Sequence, residues 1–569
     1  MKRKPIVSAL LLALFGAASV ANSAHAASYE VHVLPLSDVS QRHFGTSIDN
    51  TGLSLVTARD LFNQPIDLSL LNIDDAPLTD PDAAAAGNFN DFDYTLVIDQ
   101  LLQARASLGT IQPDARFQKL ASDIGYKTDG TDVTYVNGFD SEMDGTDGFT
   151  FSSNVRLTDS ALGTHVIGNM AGPFSRVDYV NENDEAQFFV VNEFLNRAFV
   201  QVGDRVTPLA PGNIDGGGFS EAYQINANLQ VAGVSSVASA ESLQEALALC
   251  LDDEQRGDVP VEVCEYVRFN QADTRSTFIA GLIYDNLDYE TKATLWQLDA
   301  EGNIVSTQLF DNLYEPDEFS DSNHSRGLDV NNAGVMVGFS SVLVIEDRPP
   351  GPVAAIFENG VTTRLSDDDE FLPSFATNIN DNNYIVGYVG QFINGAPRNK
   401  LFTFDRNTNE MNVVQGFFVG SATVPRALNN NNIVVGDAES EASISSAQRP
   451  RVGFIYDIES DTFTDLNTLL PCDSPYKIVS AVDINDNNEI IADAFTTVPR
   501  KNARGVVITD ESGEALTLDT VVSVKLSPTG NTPSDCAEDD RVSRERQGAS
   551  FSFWLLASLG TIVFFRFRR

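Results

Sequence analysis

A polar turn between two apolar runs recurs along the chain. Its clearest copy is Arg426-Ala-Leu-Asn-Asn-Asn-Asn-Ile-Val-Val-Gly436. A small residue and a leucine lead into an Asn cluster, and a β-branched run follows and ends in glycine. The pattern reads as strand, turn, strand. Asn and Asp tolerate left-handed backbone and hydrogen-bond their own turns, and β-branched side chains suit a half-buried pleated surface. Related phrases begin at Ser175, Ala222, Gly327, Ala376 and Ala481. A degenerate copy spans Phe44 to Val56, with Asp49-Asn-Thr-Gly52 as its turn. The key asparagines are Asn181, Asn226, Asn331, Asn380, Asn429 and Asn485, at spacings of 45, 105, 49, 49 and 56. The long gap holds an insertion and room for a further unit near Phe278-Ile-Ala-Gly-Leu-Ile283.

Each unit has a second half. An aromatic strand follows (Arg197-Ala-Phe199, Ala293-Thr-Leu-Trp296, Ala354-Ala-Ile-Phe357), then a turn, then a strand carrying a leucine such as Leu209, Leu365 or Leu466. Four short strands in one repeat of this length make a propeller blade, whereas β-solenoid repeats are generally shorter. The glycine after Val-Val marks a place where another backbone approaches closely. The predicted fold is all-β: a β-propeller of about seven, within six to eight, four-stranded blades over residues 27–534.

Two partly helical insertions, 58–148 and 237–275, interrupt the repeat. In the first, Val97, Leu101, Ala104 and Leu108 fall on one face of a helix spanning Tyr94 to Leu108. In the second, Ser242 and Glu245 form a capping-box pattern ahead of a stripe of Leu243, Ala246, Leu247 and Leu251. Cys250 ends that helix, and a disulfide to Cys264 would staple it to a following strand.

The two ends change the picture. Lys2-Arg-Lys4, an apolar run from Ser8 to Val20 and the small-x-small triplet Ala24-His-Ala26 read as a signal peptide over residues 1–26, cleaved between Ala26 and Ala27. At the other end a polar linker, 535–548, precedes an uncharged apolar stretch, 549–565. Arg566, Arg568 and Arg569 close the chain in a basic tail, 566–569. That stretch reads as a transmembrane helix with its basic end in the cytoplasm and the bulk of the chain outside. Export exposes the four cysteines to oxidising conditions. Three pairings are open to Cys250, Cys264, Cys472 and Cys536, and proximity in the chain favours Cys250 with Cys264 and Cys472 with Cys536.

Of the 569 residues 80 are acidic and 37 basic, a net charge of −43. Such a surface repels phosphate backbones and argues against nucleic-acid partners. The same acids suggest one metal site. Asp483, Asn485, Asn487 and Glu489 place oxygen ligands at alternate positions, as calcium loops do, although hairpin-turn chemistry explains them without metal. His32, His43, His165 and His324 form no metal pair at helical spacing, and no G-x-S-x-G elbow or P-loop occurs. Gly216-Gly-Gly218 is a loop rather than a nucleotide fingerprint.

The phrase small-x-x-Ile-Asn-x-x-Gly/Asn-x-Val-Val-Gly, with Arg197-Ala-Phe199 as the nearest match to the name-giving triplet, resembles the HAF-type extracellular repeat. Gly548-Ala-Ser550, the apolar stretch and the arginines resemble a GlyGly-CTERM sorting tail, with Ala549 in place of the second glycine. Together they are similar to an uncharacterised surface-protein family of marine Gram-negative bacteria. The resemblance implies a rhomboid-type sorting protease acting on the tail, and a product displayed on the cell surface or released. It assigns no catalytic residue and no certain cofactor. Two functions follow as expectations. One is a non-enzymatic envelope protein that binds an extracellular protein or glycan. The other is a secreted hydrolase or lyase on a propeller scaffold.

Overall fold

The local chemistry of the turn sets the architecture. Asn429 Oδ1 accepts the backbone N–H groups of Asn431 and Ile433, both at 3.0 Å, while Asn432 takes the left-handed conformation at φ 62°. Asn226, Asn331, Asn380, Asn485 and Asp49 close their turns with the same pair of bonds. The side chain thus satisfies two donors that the hairpin leaves unpaired.

The computed structural model describes residues 28–533 and Cys536, apart from 72–77, 107–117, 141–150, 273–276, 280–281, 285–288, 316–322, 344–349, 367–372, 394, 443–448 and 534–535. The signal peptide with Ala26 and Ala27, and the apolar tail with Gly548, Ala549 and Ser550, lie outside the described residues.

Seven four-stranded antiparallel sheets form the blades. Blade 1 comprises Ser40–Ile48, Ser54–Leu61, Asp123–Thr128 and Thr134–Val136. Blade 2 comprises Val155–Ala161, His165–Met170, Arg197–Val202 and Arg205–Leu209. In blades 3 to 6 the first strands are Ser220–Ile225, Ser325–Val330, Ser374–Ile379 and Thr423–Leu428. Blade 7 is built from Lys477–Ile484, Ile490–Pro499, Thr517–Pro528 and, as its outer strand, the N-terminal Tyr29–Val33. Tyr29 pairs opposite Pro528 there, so the two ends of the described chain close the circle. The first strands touch their neighbours in sequence from blade 1 round to blade 7 and back. Each first strand carries a β-bulge near its middle, as between Pro425 and Ala427.

The core lies between blades. Val335, Val337 and Ala354 of blade 4 pack on Ala376, Ile379 and Phe402 of blade 5. Ala427 and Val435 of blade 6 pack on Ile478, Ala481 and Ile490 of blade 7. The third strands supply Phe199, Trp296, Phe357, Phe402 and Phe454, all fully buried. Each such phenylalanine contributes about 2–3 kcal/mol of transfer free energy. The Val-Val-Gly glycine makes room for them. A Cβ on Gly436 would lie 2.2 Å from Val424 O and 2.8 Å from the Phe454 ring.

Four expectations need correction. The phrase at Ser175 is not a blade. Ser175–Val180 and Ala186–Val191 form a separate two-stranded sheet, because the Asn181 turn chemistry builds a hairpin wherever it falls. The inner hairpin of blade 2 turns instead at Leu162-Gly163. The stretch around Phe278 is likewise a short hairpin, Thr277–Ile279 with Leu282–Tyr284, inside the second insertion. The interruption placed at 58–148 contains two strands of blade 1, so the inserted chain is 62–122, and the one placed at 237–275 runs over 240–288. Finally, the Glu241–Leu251 helix begins after Ala240 with no side-chain cap, and Cys264 sits on a second helix, Val261–Ala272, rather than on a strand. The disulfides Cys250–Cys264 and Cys472–Cys536 both form as expected.

Candidate functional site

The two faces of the propeller are built differently. One face carries the turns between first and second strands, and there the key asparagines form a chain around the axis. Asn226 Nδ2 donates to Asn331 O at 2.8 Å, Asn331 to Asn380 O at 3.3 Å and Asn380 to Asn429 O at 3.0 Å. Asn429 continues to Asn485 O at 3.0 Å, and Asn485 to Asp49 O at 3.1 Å. Asp49 has no side-chain N–H to give. The sense reverses there, and Asp49 Oδ2 accepts Gly163 N at 2.6 Å from blade 2. A second tier repeats the linkage one residue on, with Asn430 N on Asp486 Oδ1 at 2.9 Å and Asp486 N on Asn50 Oδ1 at 2.8 Å.

An axial cavity of ≈ 300 Å³ opens inside this ring. Its wall includes Asp159, Asp329 and Asp483, each two residues ahead of a turn. All three are spent on backbone donors of the next blade: Asp159 Oδ2 on Ile225 N at 2.9 Å, Asp329 Oδ2 on Ile379 N at 2.8 Å and Asp483 Oδ2 on Ile48 N at 2.7 Å. Burial pushes all three carboxyls up, Asp329 to about 7. The signal for this set is the Asp-x-Asn spacing at Asp329/Asn331 and Asp483/Asn485, which the sequence reading absorbed into turn chemistry.

The side chains of the four residues of the calcium expectation are engaged separately, apart from one Asn485–Glu489 hydrogen bond. Asp483 faces the axis, Asn485 staples its own turn, the Asn487 side chain is exposed, and Glu489 bonds Asn485 Nδ2 at 2.9 Å and Lys525 Nζ at 3.1 Å. Among the described residues no group of three or more His, Cys, Asp or Glu side chains could hold a metal ion.

The opposite face carries the connections between second and third strands, and the extra chain gathers there. Blades 1, 2 and 3 bear the inserted segments 62–122, 171–196 and 240–288 at this one face, and blade 7 adds 500–516. They touch in series. Arg504 donates to Phe89 O at 2.8 Å and lies over the Tyr94 ring at 4.1 Å. Arg176 reaches Ser69 O at 3.1 Å, and Glu182 N bonds Asp258 Oδ2 at 2.6 Å. Phe174 meets Tyr266 edge to face. Val191, Phe219, Val234, Leu243, Val263, Tyr266 and Tyr289 form the core that seats the helices on blade 3.

A groove of ≈ 950 Å³ lies between the 175–191 hairpin, the glycine loop 212–218 and the two helices. Its apolar lining is Val177, Val191, Ile214, Leu247, Ala248 and Leu251. Its charged lining is Glu193, Asp215, Glu262 and Glu265. Asn192 is buried at its edge: Nδ2 bonds Gly172 O and Phe194 O, while Oδ1 has no partner among the described residues. Gly216 and Gly217 form part of one wall of the groove. Asn192 and the groove carboxylates went unrecognised in the sequence, since no local motif marks them.

Elsewhere on this face charges pair off. Arg326 NH1 bonds Glu221 Oε2 at 3.0 Å and the Tyr223 hydroxyl at 2.7 Å. Arg426 and Arg451 share Asp437, and Arg449 meets Glu439 at 2.8 Å. The histidines are scattered. His43 is buried against Tyr126, with burial pushing its pKa down to about 4. His165 bonds Thr164, His324 bonds Thr291, and His32 approaches Glu30 at 3.8 Å.

Among solved structures the chain is similar to an acylaminoacyl peptidase from Pyrococcus horikoshii, at 11% identity over 61% of this chain and 50% of that one, with a TM-score of 0.32. It thus spans about half the length of that peptidase. It is also similar to the β-propeller domain of the Trilobed protease from Pyrococcus furiosus (11% identity, 67% and 98% coverage, TM-score 0.31). TolB from Acinetobacter baumannii is a third match (8% identity, 68% and 80% coverage, TM-score 0.26). No curated protein matches the sequence. The family described as "Protein of unknown function (DUF3466)" matches residues 6–569, and the chain belongs to that family.

Proposed function

We propose that this protein is an exported, surface-anchored β-propeller of the cell envelope that binds an extracellular partner without transforming it. The observation that carries the reading is the asymmetry of the faces. Three successive blades place their extra chain on one face, and the insertions of blades 2 and 3 enclose a groove there, while the other face is knitted by short asparagine turns. Inserted loops on a rigid scaffold are where recognition usually lives. Export and anchoring rest on the basic and apolar run at the start, the apolar stretch 549–565 and the arginines after it. A rhomboid-type sorting protease is the proposed partner of the tail, and calcium the proposed ion to test.

The test is a glycan and peptide binding screen on the purified protein, with and without calcium. The reading expects a saturable binder that is recovered unaltered. A panel with no binder, or a bound glycan or peptide that is cleaved, contradicts it. The second outcome would favour the hydrolase or lyase alternative.

A further inference from the structure

We infer that the groove beside the helical insertion takes a basic peptide segment with an apolar face, an assignment that rests on the binding role proposed above. Among the described residues every charged side chain lining the groove is a carboxylate, and none is basic. Ile214 and Leu251 stand at its rim with 68% and 70% of their surface exposed, so two large apolar groups face solvent beside four acids. Neither Glu262 nor Glu265 pairs with a cation among the described residues, unlike the arginine-paired acids of blade 6.

The buried Asn192 Oδ1 adds a second, independent demand. Both amide hydrogens are used on Gly172 O and Phe194 O, and the oxygen has no donor among the described residues. A buried acceptor left unpaired is costly, and a ligand N–H that displaces the groove edge covering it would remove the cost. The occupant must therefore bring donors, positive charge and apolar surface together.

The competing occupants fit less well. Anionic lipid or nucleic acid meets the four carboxylates and the protein's net charge of −43. Among the described residues the lining holds no aromatic ring on which a sugar could stack. A volume of ≈ 950 Å³ suits several side chains of a short helix or strand.

The experiment uses the full-length protein and fluorescent peptides of about 12 residues, three helical turns, with Leu on one face and Lys on the other. One control peptide carries Glu for Lys, another Ser for Leu. The Leu/Lys peptide is expected to bind. I214A/L251A should weaken it about ten-fold through lost apolar contact, on side chains exposed enough to leave folding intact. E262Q/E265Q should weaken it about five-fold and flatten its salt dependence. E301Q/E410Q removes the same two charges from exposed turns on the other face and should leave affinity unchanged. The assignment is overturned if the Leu/Lys peptide fails to bind, if either control peptide binds as well, or if E301Q/E410Q matches E262Q/E265Q. Should a glycan from the screen bind this face while the Leu/Lys peptide does not, the peptide assignment falls and the binding role stands.

Discussion

Asn429 donates its side-chain N–H to the backbone carbonyl of Asn485 at 3.0 Å, across the boundary between blades 6 and 7. The same amide accepts two N–H groups of its own turn through Oδ1. One side chain therefore shapes a hairpin and ties it to its neighbour. Aspartate can do only the first, which is why the tie changes direction at Asp49.

The tie is testable against a matched turn outside the ring. Asn181 makes the same turn bonds in an exposed hairpin, and its Nδ2 donates to Glu185 Oε2 of that hairpin at 2.9 Å rather than to a blade. N429A should lower unfolding free energy by about 2–3 kcal/mol, because it strands buried donors and acceptors. N181A should cost only about 1 kcal/mol, the value of an exposed turn bond. Urea denaturation of the two variants decides the point, and equal losses would contradict the inter-blade role.

The Val-Val-Gly glycine is a packing requirement. A methyl at Gly436 would sit inside the van der Waals radius of Val424 O and of the Phe454 ring. G436A should cost about 2–4 kcal/mol, since neither neighbour can retreat in a filled interior. G395A, at a loop glycine with nothing within 4 Å, is a control for backbone effects alone and should lose less.

The axial carboxylates make stability depend on pH in a definite sense. Burial pushes Asp329 up to about 7, so the native state holds this proton more tightly than the unfolded chain does. Its contribution is intact at acid pH, below the ordinary carboxylate range, and is lost as pH rises through about 7. D329N should show a constant offset, since the amide cannot accept both the Ile379 and Val330 N–H groups. Relative to wild type it should then gain about 1–2 kcal/mol between pH 5 and pH 8, allowing for partial exposure to the cavity. Thermal unfolding across that range reads the difference, and a stability difference that does not shift in favour of D329N as pH rises would count against it.

Closure of the ring depends on the chain ends. Tyr29–Val33 pairs with Thr517–Pro528, and the Cys472–Cys536 disulfide ties the chain just beyond that strand back to the blade 6–7 connection. The bond spans 64 residues, which the chain-entropy model values at about 4 kcal/mol. C472S/C536S should lower the melting temperature, with hydrogen exchange rising first in 29–33 and 517–528. Uniform loosening of all blades would argue against this local role.

Much of the scaffold was legible in the sequence because turn chemistry is local. Asn331, Asn380, Asn429 and Asn485 each announce a hairpin, and the aromatic strands that follow announce the outer half of a blade. The same locality caused the error at Asn181, whose turn bonds match theirs while its hairpin stands outside the ring. The inner hairpin of blade 2 escaped notice for the converse reason: Leu162-Gly163 turns without an asparagine. The groove was not legible. Asn192, Ile214, Leu251 and Glu265 belong to four separate segments, and only the shared direction of the inserted chain brings them together.

The central claim is that recognition belongs to the decorated face. It is tested most directly by the affinity of the best binder from the glycan and peptide screen for three proteins: wild type, I214A/L251A and E301Q/E410Q. The account predicts a loss of about ten-fold for I214A/L251A, the scale of two buried apolar contacts, and wild-type affinity for E301Q/E410Q. Unchanged affinity in I214A/L251A, with a loss in E301Q/E410Q, would place recognition on the asparagine face and contradict it.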